Sequence, residues 1–336
     1  MHPSHAEPVP PGIVTIHGQR LPYLECRRVR RRDYYLLERI GSPLRNRFKA
    51  FDPLAGPGGD FFQVQMWPGG AATGQHLRVL KRLKDDAFPR VVEWERHSQG
   101  YSCALTWVNG ISLAEYFQVL RSDKRPPIDP GETVRLIRGL AHGICKLQAQ
   151  FRVCHGDIQP ANIIITAHPS RLLLIDFGSA WTAEAALPRV DGDGRHPCYS
   201  APELSRPSTS VGFHADQFSV SVLFYELLTQ QLPYGGLGGK AGRLEFIRQA
   251  AQSLRPPSEF SQPCRDLPRS LRQRIDALVL RGLALQPEQR FHDRNAWLNE
   301  LFEVFARFRL TPELPAVEKA LTRLVEWFVT PRIAKQ

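Results

Sequence analysis

Hydrophobic and polar residues follow two different periods along this chain. Between residues 34 and 108 the period is two. Residues 34–40 read as a strand leading to the turn Gly41-Ser42-Pro43, residues 47–52 alternate as a return strand, and residues 61–67 alternate most clearly, with Phe62, Val64 and Met66 on one face. Residues 90–96 and 101–108 flank Ser98-Gln99-Gly100, a hairpin signal. A single helix is predicted inside this region over about 74–84, capped by Thr73, with His76, Leu80 and Leu83 on one face. Beyond Asn109-Gly110 the period becomes helical. Val134, Ile137, Leu140, Ile144 and Leu147 share one face, and residues 216–228, 270–285 and 295–308 read as further helices. Two short apolar runs, 162–166 and 172–175, interrupt them.

This pattern divides the chain into four parts. Residues 1–33 hold five prolines and the run Arg27-Arg28-Val29-Arg30-Arg31-Arg32, and read as a basic, proline-containing N-terminal tail. Residues 34–110 form a small β-rich unit with one helix, and residues 111–307 a larger helical unit. Residues 308–336 carry Leu314, Val317, Leu321, Leu324 and Phe328 at helical spacing and read as a C-terminal helix or tail. The expected fold class is α+β in two lobes.

Composition narrows the function classes. Apolar residues make up 42% and charged residues 23% of the 336, close to globular averages, so the chain as a whole is not disordered. No uncharged apolar run approaches the ~18 residues of a spanning helix, and Met1 to His5 show no apolar signal core. A soluble, cytoplasmic protein with no membrane span is expected. The six cysteines form no C-x-x-C and no zinc-ligand spacing with histidine, which predicts reduced thiols. The net charge of +11 suits anionic partners. Much of it is concentrated in the arginine run without aromatic interleaving, so no specific nucleic-acid partner is expected.

Three segments place polar residues inside apolar surroundings: Cys154-His155-Gly156-Asp157-Ile158-Gln159-Pro160-Ala161-Asn162, Leu174-Ile175-Asp176-Phe177-Gly178, and Tyr199-Ser200-Ala201-Pro202-Glu203. A carboxylate, an amide five residues on, and a second carboxylate after a hairpin suit phosphoryl transfer. Asp157 can orient a hydroxyl nucleophile, while Asn162 and Asp176 offer hard oxygen ligands to a phosphate-bridging Mg²⁺.

In these segments the chain resembles the protein kinase superfamily, over residues 34–307. His155 to Asn162 is similar to the catalytic loop H-R-D-L-K-P-E-N, Asp176-Phe177-Gly178 to D-F-G, and Ala201-Pro202-Glu203 to A-P-E. Asp216-Gln217-Phe218-Ser219 resembles the start of the family's central helix, and Arg290 its late arginine. The resemblance implies ATP and Mg²⁺ as cofactors and a protein substrate or protein partner. It implies catalytic roles for Asp157, Asn162 and Asp176, with metal on Asn162 and Asp176. Nucleotide contacts are implied for Ile40, Gly41, Phe48, Val64, Gln65, Leu105, Thr106, Val108 and Leu174. Leu105 takes the gatekeeper place, Thr106 and Val108 offer backbone groups to the base, and Ile40, Val64 and Leu174 are apolar walls. Structural roles are implied for His155, Asp216 and a buried Glu203–Arg290 pair.

Several positions depart from the family pattern. Gly41 opens the glycine loop, but Pro43 and Asn46 stand in its second and third glycine places. Gln65 replaces the phosphate-binding lysine, His76 the helix glutamate that would pair with it, Gln159 the catalytic-loop lysine, and Gly156 the arginine beside the catalytic aspartate. The threonine of the substrate loop aligns with His196. Removing one electrostatic stabiliser costs on the order of 10²–10³ in rate. Three readings follow: a Ser/Thr-type protein kinase with a degenerate phosphate clamp and slow or atypical activity, a pseudokinase scaffold binding nucleotide or protein, and a small-molecule phosphotransferase. The last is disfavoured by Ala201-Pro202-Glu203, Asp216 and Arg290. Lys49 or Arg47 is a candidate substitute cation, though strand alternation puts both opposite Phe48.

Overall fold

The computed structural model describes residues 11–41, 46–69, 71–85, 87–122, 128–167, 169–182, 196–205 and 212–309, with the main chain alone at 71–76, 182, 205 and 309. The chain divides into two compact units, residues 1–108 and 109–336.

The first unit begins with a hairpin of β1 (Gly12–Ile16) and β2 (Gln19–Tyr23), turned at His17 and Gly18, both with positive φ. Then follow β3 (Glu25–Val29), β4 (Arg32–Arg39), β5 (Asn46–Asp52), β6 (Asp60–Pro68), α1 (Ala71–Arg82), β7 (Val91–His97) and β8 (Gly100–Thr106). Six of these strands make one antiparallel sheet in the order β3-β4-β5-β6-β8-β7. Helix α1 starts three residues before the expected boundary, so Thr73 lies inside it rather than capping it.

The reading of residues 1–33 as a tail fails over β1 to β3. Val14 and Ile16 alternate inward and pack on Phe51, while Cys26 and Val29 are buried on β3. The arginine run is largely exposed but folded into a strand and a turn, and several of its members meet carboxylates from the strands around it. Arg27 pairs with Glu25 at 3.1 Å, Arg28 with Asp33 at 2.7 Å, and Arg32 with Asp52 at 3.4 Å and Glu93 at 3.9 Å. The Arg30 N–H donates to Glu95 on β7 at 2.9 Å. The contacts to Glu93 and Glu95 draw the first strand of the sheet toward its last. They curl it around a core of Val29, Tyr34, Leu36, Phe48, Ala50, Phe62, Val64 and Ala104.

The second unit contains β9 (Ile111–Ser112), α2 (Leu113–Ser122), α3 (Pro130–Phe151), β10 (Val153–Cys154), β11 (Ile163–Thr166), β12 (Arg171–Leu174) and β13 (Trp181–Thr182). They are followed by α4 (Phe213–Thr229), α5 (Ile247–Ser253), α6 (Pro257–Phe260), α7 (Gln262–Arg265), α8 (Arg269–Gly282) and α9 (Arg294–Arg309). Asp129 caps α3, its Oδ1 accepting from the Gly131 and Glu132 N–H groups at 2.8 and 3.1 Å, with Pro130 in the first turn. Arg152 ends the helix in the left-handed conformation. Helix α4 is buried all round, the mark of a helix at the centre of a bundle. The expected helix over 312–328 lies outside the described residues. The fold class is α+β, a β-rich first unit with one α-helix among its described residues and a helical second unit.

Candidate active site

The site in the second unit is built on the loop between β10 and β11. Asp216, in the first turn of α4 and 1% exposed, accepts from the His155 N–H at 2.8 Å and the Gly156 N–H at 2.9 Å. A carboxylate among buried N–H groups at a helix start satisfies both the loop and the helix. His155 is fully buried. Its Nδ1 accepts from the Asp157 N–H at 3.3 Å, so Nε2 carries the proton and donates to the Ile175 carbonyl at 3.1 Å. The ring also meets Phe177 edge-on at 4.9 Å. His155 thus ties the loop to the segment that bears Asp176.

Asp157 and Asn162 meet directly. Asn162 Nδ2 donates to the Asp157 carbonyl at 2.8 Å and to its Oδ2 at 2.9 Å, leaving the amide oxygen for a cation. Asp157 Oδ1 accepts from Gln159 Nε2 at 2.8 Å and from the His196 N–H at 3.3 Å. The β11–β12 ladder sets Ile163 opposite Leu174, and the Ile175 N–H donates to the Asn162 carbonyl at 2.9 Å, so Asp176 follows one residue beyond the strand position beside Asn162. Asp176 has φ +62°, a conformation seldom held by a residue with a side chain, and its Oδ1 accepts from the Gly178 N–H at 3.1 Å. A carboxylate and an amide oxygen, both hard donors, fit a Mg²⁺ ion that also takes phosphate oxygens.

Arg290 is 1% exposed and holds Glu203 through two bonds of 2.7 and 3.0 Å, while also donating to the Ala284 and His214 carbonyls at 2.7 Å each. Glu226, on α4, accepts from the Tyr199 hydroxyl and the Arg121 guanidinium, each at 2.6 Å. Burial pushes the Glu226 carboxyl above its ordinary range, against the opposing pull of those two partners.

A family model for the protein kinase domain matches residues 70–300. The chain belongs to the protein kinase family. It is 25% identical to the human serine/threonine-protein kinase ULK1, over 60% of this chain and 19% of that protein. It is 25% identical to the serine/threonine-protein kinase PknB of Mycobacterium leprae, over 63% of this chain and 31% of that protein. It is also 30% identical to PkaA of Streptomyces coelicolor, over 53% and 32%. The chain thus spans about a fifth to a third of the length of these relatives. The crystal structure of the PknI kinase domain from Mycobacterium tuberculosis shares the fold, with a TM-score of 0.55 at 21% identity, covering 81% of this chain and 96% of that one.

In the kinase domain's first unit, strand register sorts the residues expected to meet nucleotide. Arg47 lies opposite Gln65 and Lys49 opposite Gln63, while Gln63 faces Leu105 and Gln65 faces Cys103 across the next ladder. Directly opposed residues share a face. One face therefore carries Arg47, Lys49, Gln63, Gln65, Cys103 and Leu105. Ile40 belongs with them, two residues beyond Glu38, the partner of Lys49. Phe48 and Val64, expected as nucleotide contacts, sit instead on the other face as residues of the curled core. The alternation that sets Arg47 and Lys49 opposite Phe48 also sets them beside Gln65, so it does not count against them as substitute cations. Lys49 already lies 3.6 Å from Glu38 and over the rings of Phe61 and Trp107. Gln65 is 2% exposed, and its Oε1 has no hydrogen-bond partner among the described residues.

Leu174 is likewise a core residue, 2% exposed and paired with Ile163, while Ile164 points to the other face of β11 and is half-buried. Thr106 ends β8, with Val108 in the extended segment after it, and the Thr106 N–H is used by the Arg90 carbonyl at 2.9 Å. Gly41 has φ +71°, the His76 main chain is in α1, and residues 42–45 and 183–195 lie outside the described residues. Gln159 keeps a lysine's hydrogen bond to Asp157 but not its charge.

Proposed function

We propose that this domain uses Mg-ATP and transfers a phosphoryl group to a protein hydroxyl, through a phosphate clamp that has moved within the strand face of Gln65. The observation that carries the reading is the Asp157–Asn162 pair with Asp176 on the adjoining hairpin. Asp157 accepts the proton of the attacking hydroxyl, and Asn162 and Gln159 hold its carboxylate in place. Asn162 and Asp176 would hold Mg²⁺, which when bound offsets the charge of the phosphates. Arg47, directly opposite Gln65, is the residue we assign to replace the absent lysine, with Ile164 in place of Leu174 as an apolar wall.

A second reading, a binding module without transfer, is favoured by Gln65 alone: a neutral, buried amide with an unpartnered oxygen supplies no positive charge. Thermal shift with ATP in Mg²⁺ or in EDTA, run beside phosphotransfer to a generic protein substrate, separates the two. The kinase reading expects Mg²⁺-dependent stabilisation and transfer, both lost in Asp176→Asn, with stabilisation weakened in Arg47→Ala. Equal shifts in Mg²⁺ and EDTA without transfer would leave only the binding module.

A further inference from the structure

Three directly opposed pairs follow one another along β5 and β6 on the strand face of Gln65: Arg47 with Gln65, Lys49 with Gln63, and Phe51 with Phe61. Successive pairs are two strand residues, or about 7 Å, apart. The aromatic end of this row is already covered. Val14 and Ile16 of β1 pack on Phe51, with Phe61 beside them. His17, in the turn of the same hairpin, sets its ring 6.3 Å from that of Phe51 and 6.5 Å from that of Phe61. With phosphates at Arg47 and Gln65, as proposed above, and the β1–β2 hairpin filling the far end, the base falls to Lys49 and Gln63. That position adjoins the end of β8 as well, since Gln63 pairs with Leu105 and Phe62 with Thr106.

The groups waiting there are not those of an apolar slot. Of the two walls expected from the first unit, Ile40 stays on this face and Val64 is a core residue. Their neighbours are an amide and an ammonium. Lys49 Nζ lies 5.0 Å from the Phe61 ring centroid and 5.2 Å from that of Trp107, just beyond β8. Glu38 Oε1 stands 3.6 Å away, beyond hydrogen-bond length, so it contributes charge without taking an N–H. Contacts from three segments thus hold an ammonium in place with donors to offer a ligand, and the side chain is 29% exposed.

Purines differ at the edge that a cation reads. Guanine presents N7 and O6, two acceptors side by side, whereas adenine presents N7 beside an amino group whose hydrogens oppose a cation. Gln63 carries both a donor and an acceptor and serves either base. We propose that Lys49 sets the base preference of this site, so that Mg-GTP binds more tightly than Mg-ATP, with ATP the weaker ligand. The inference rests on the nucleotide reading above and adds the identity of the base.

Isothermal titration calorimetry of the full chain with Mg-GTP, Mg-ATP and Mg-7-deaza-GTP tests it. GTP should bind roughly fivefold or more tighter than ATP. The 7-deaza analogue, which lacks the N7 acceptor, should bind more weakly than GTP. Lys49→Met keeps an unbranched stem and removes the charge, so it should weaken GTP by a similar factor and leave ATP unchanged or tighter. ATP binding as tight as GTP, or no loss on removing N7, overturns the inference and leaves the nucleotide reading standing. So does equal weakening of both nucleotides in Lys49→Met, which would put the ammonium on the phosphates. Failure of every nucleotide to bind overturns both. The N7 comparison uses the unaltered protein, so the test stays decisive if Lys49→Met folds poorly.

Discussion

Gly156 lies against the indole of Trp181, held there by the short β10–β13 ladder that sets Cys154 opposite Trp181. Its φ is +74°, and a Cβ built on it would run into the ring, with Trp181 Cη2 at 2.8 Å. The place where the kinase family has an arginine therefore has no room for a side chain while Trp181 keeps this position. Gly156→Arg should lower stability by ~2–4 kcal/mol, from left-handed strain and overpacking together. Denaturant unfolding measures it. Gly156→Ala should cost less than the arginine but more than ~1 kcal/mol, and adding Trp181→Ala should recover part of either loss. A neutral Gly156→Arg would show that Trp181 yields easily.

Glu203 and Arg290 form a buried bidentate pair. Removing one partner leaves a charge without compensation, so Glu203→Ala should cost roughly 3–5 kcal/mol. Replacing both, Glu203→Leu with Arg290→Met, should cost less than Glu203→Ala alone. The Arg290 bonds to the Ala284 and His214 carbonyls would still be lost in that double variant. Urea unfolding of the three variants gives the coupling directly.

Gln159 donates to Asp157 without bringing charge. If the domain transfers phosphate as proposed, Gln159→Lys should raise the rate by about 10-fold or more through added electrostatic stabilisation. ATP-induced thermal stabilisation should change little. A matched fall in both rate and stabilisation would instead mean that the amide holds Asp157 in a geometry the lysine disrupts.

Burial pushes the thiols of Cys103 and Cys145 up to about 12 and that of Cys264 to about 11. Cys198, half-buried, is raised as well, first by desolvation and then by Glu226. An unfolded thiol ionises near ~8.5. Above that pH the folded state holds more protons than the unfolded one, so stability falls as pH rises toward the folded values. The urea midpoint should therefore drop between pH 8 and 10, and Cys103→Ala should flatten the decline. In native protein at pH 8 a thiol reagent should label Cys198 well before Cys103, Cys145 or Cys264.

The catalytic segments were legible because their chemistry is local. Asp157 and Asn162 are five residues apart on one loop, and their hydrogen bonds follow from that spacing. Asp176 comes next to them because Ile163–Thr166 and Arg171–Leu174 are too apolar to do anything but pair. Asp216, 59 residues after Asp157 and in another element, was found through its motif, and its bonds to the His155 and Gly156 N–H groups give the physical reason for it.

The first unit was harder to read. A strand's alternation says which residues share a face but not which face is covered, and an error of one residue in register exchanges the two. The resemblance implied nucleotide contacts for Phe48, Val64 and Gln65 together, whereas cross-strand pairing puts the first two in the core and sets Arg47 opposite Gln65. Likewise the arginine run looks like a tail in isolation, since like charges with no neighbours favour solvent. Asp33 meets it across the β3–β4 hairpin and Asp52 from the adjoining β5, while Glu93 and Glu95 on β7 reach it only when the sheet curls. The sequence by itself determined the elements, the family's motifs and the residues of the catalytic loop, because these depend on short spacings and on burial period. Only the tertiary structure decided which strand face packs into the curled core, what Gly156 makes room for and which charges are neutralised, because each depends on contacts between residues far apart in the chain.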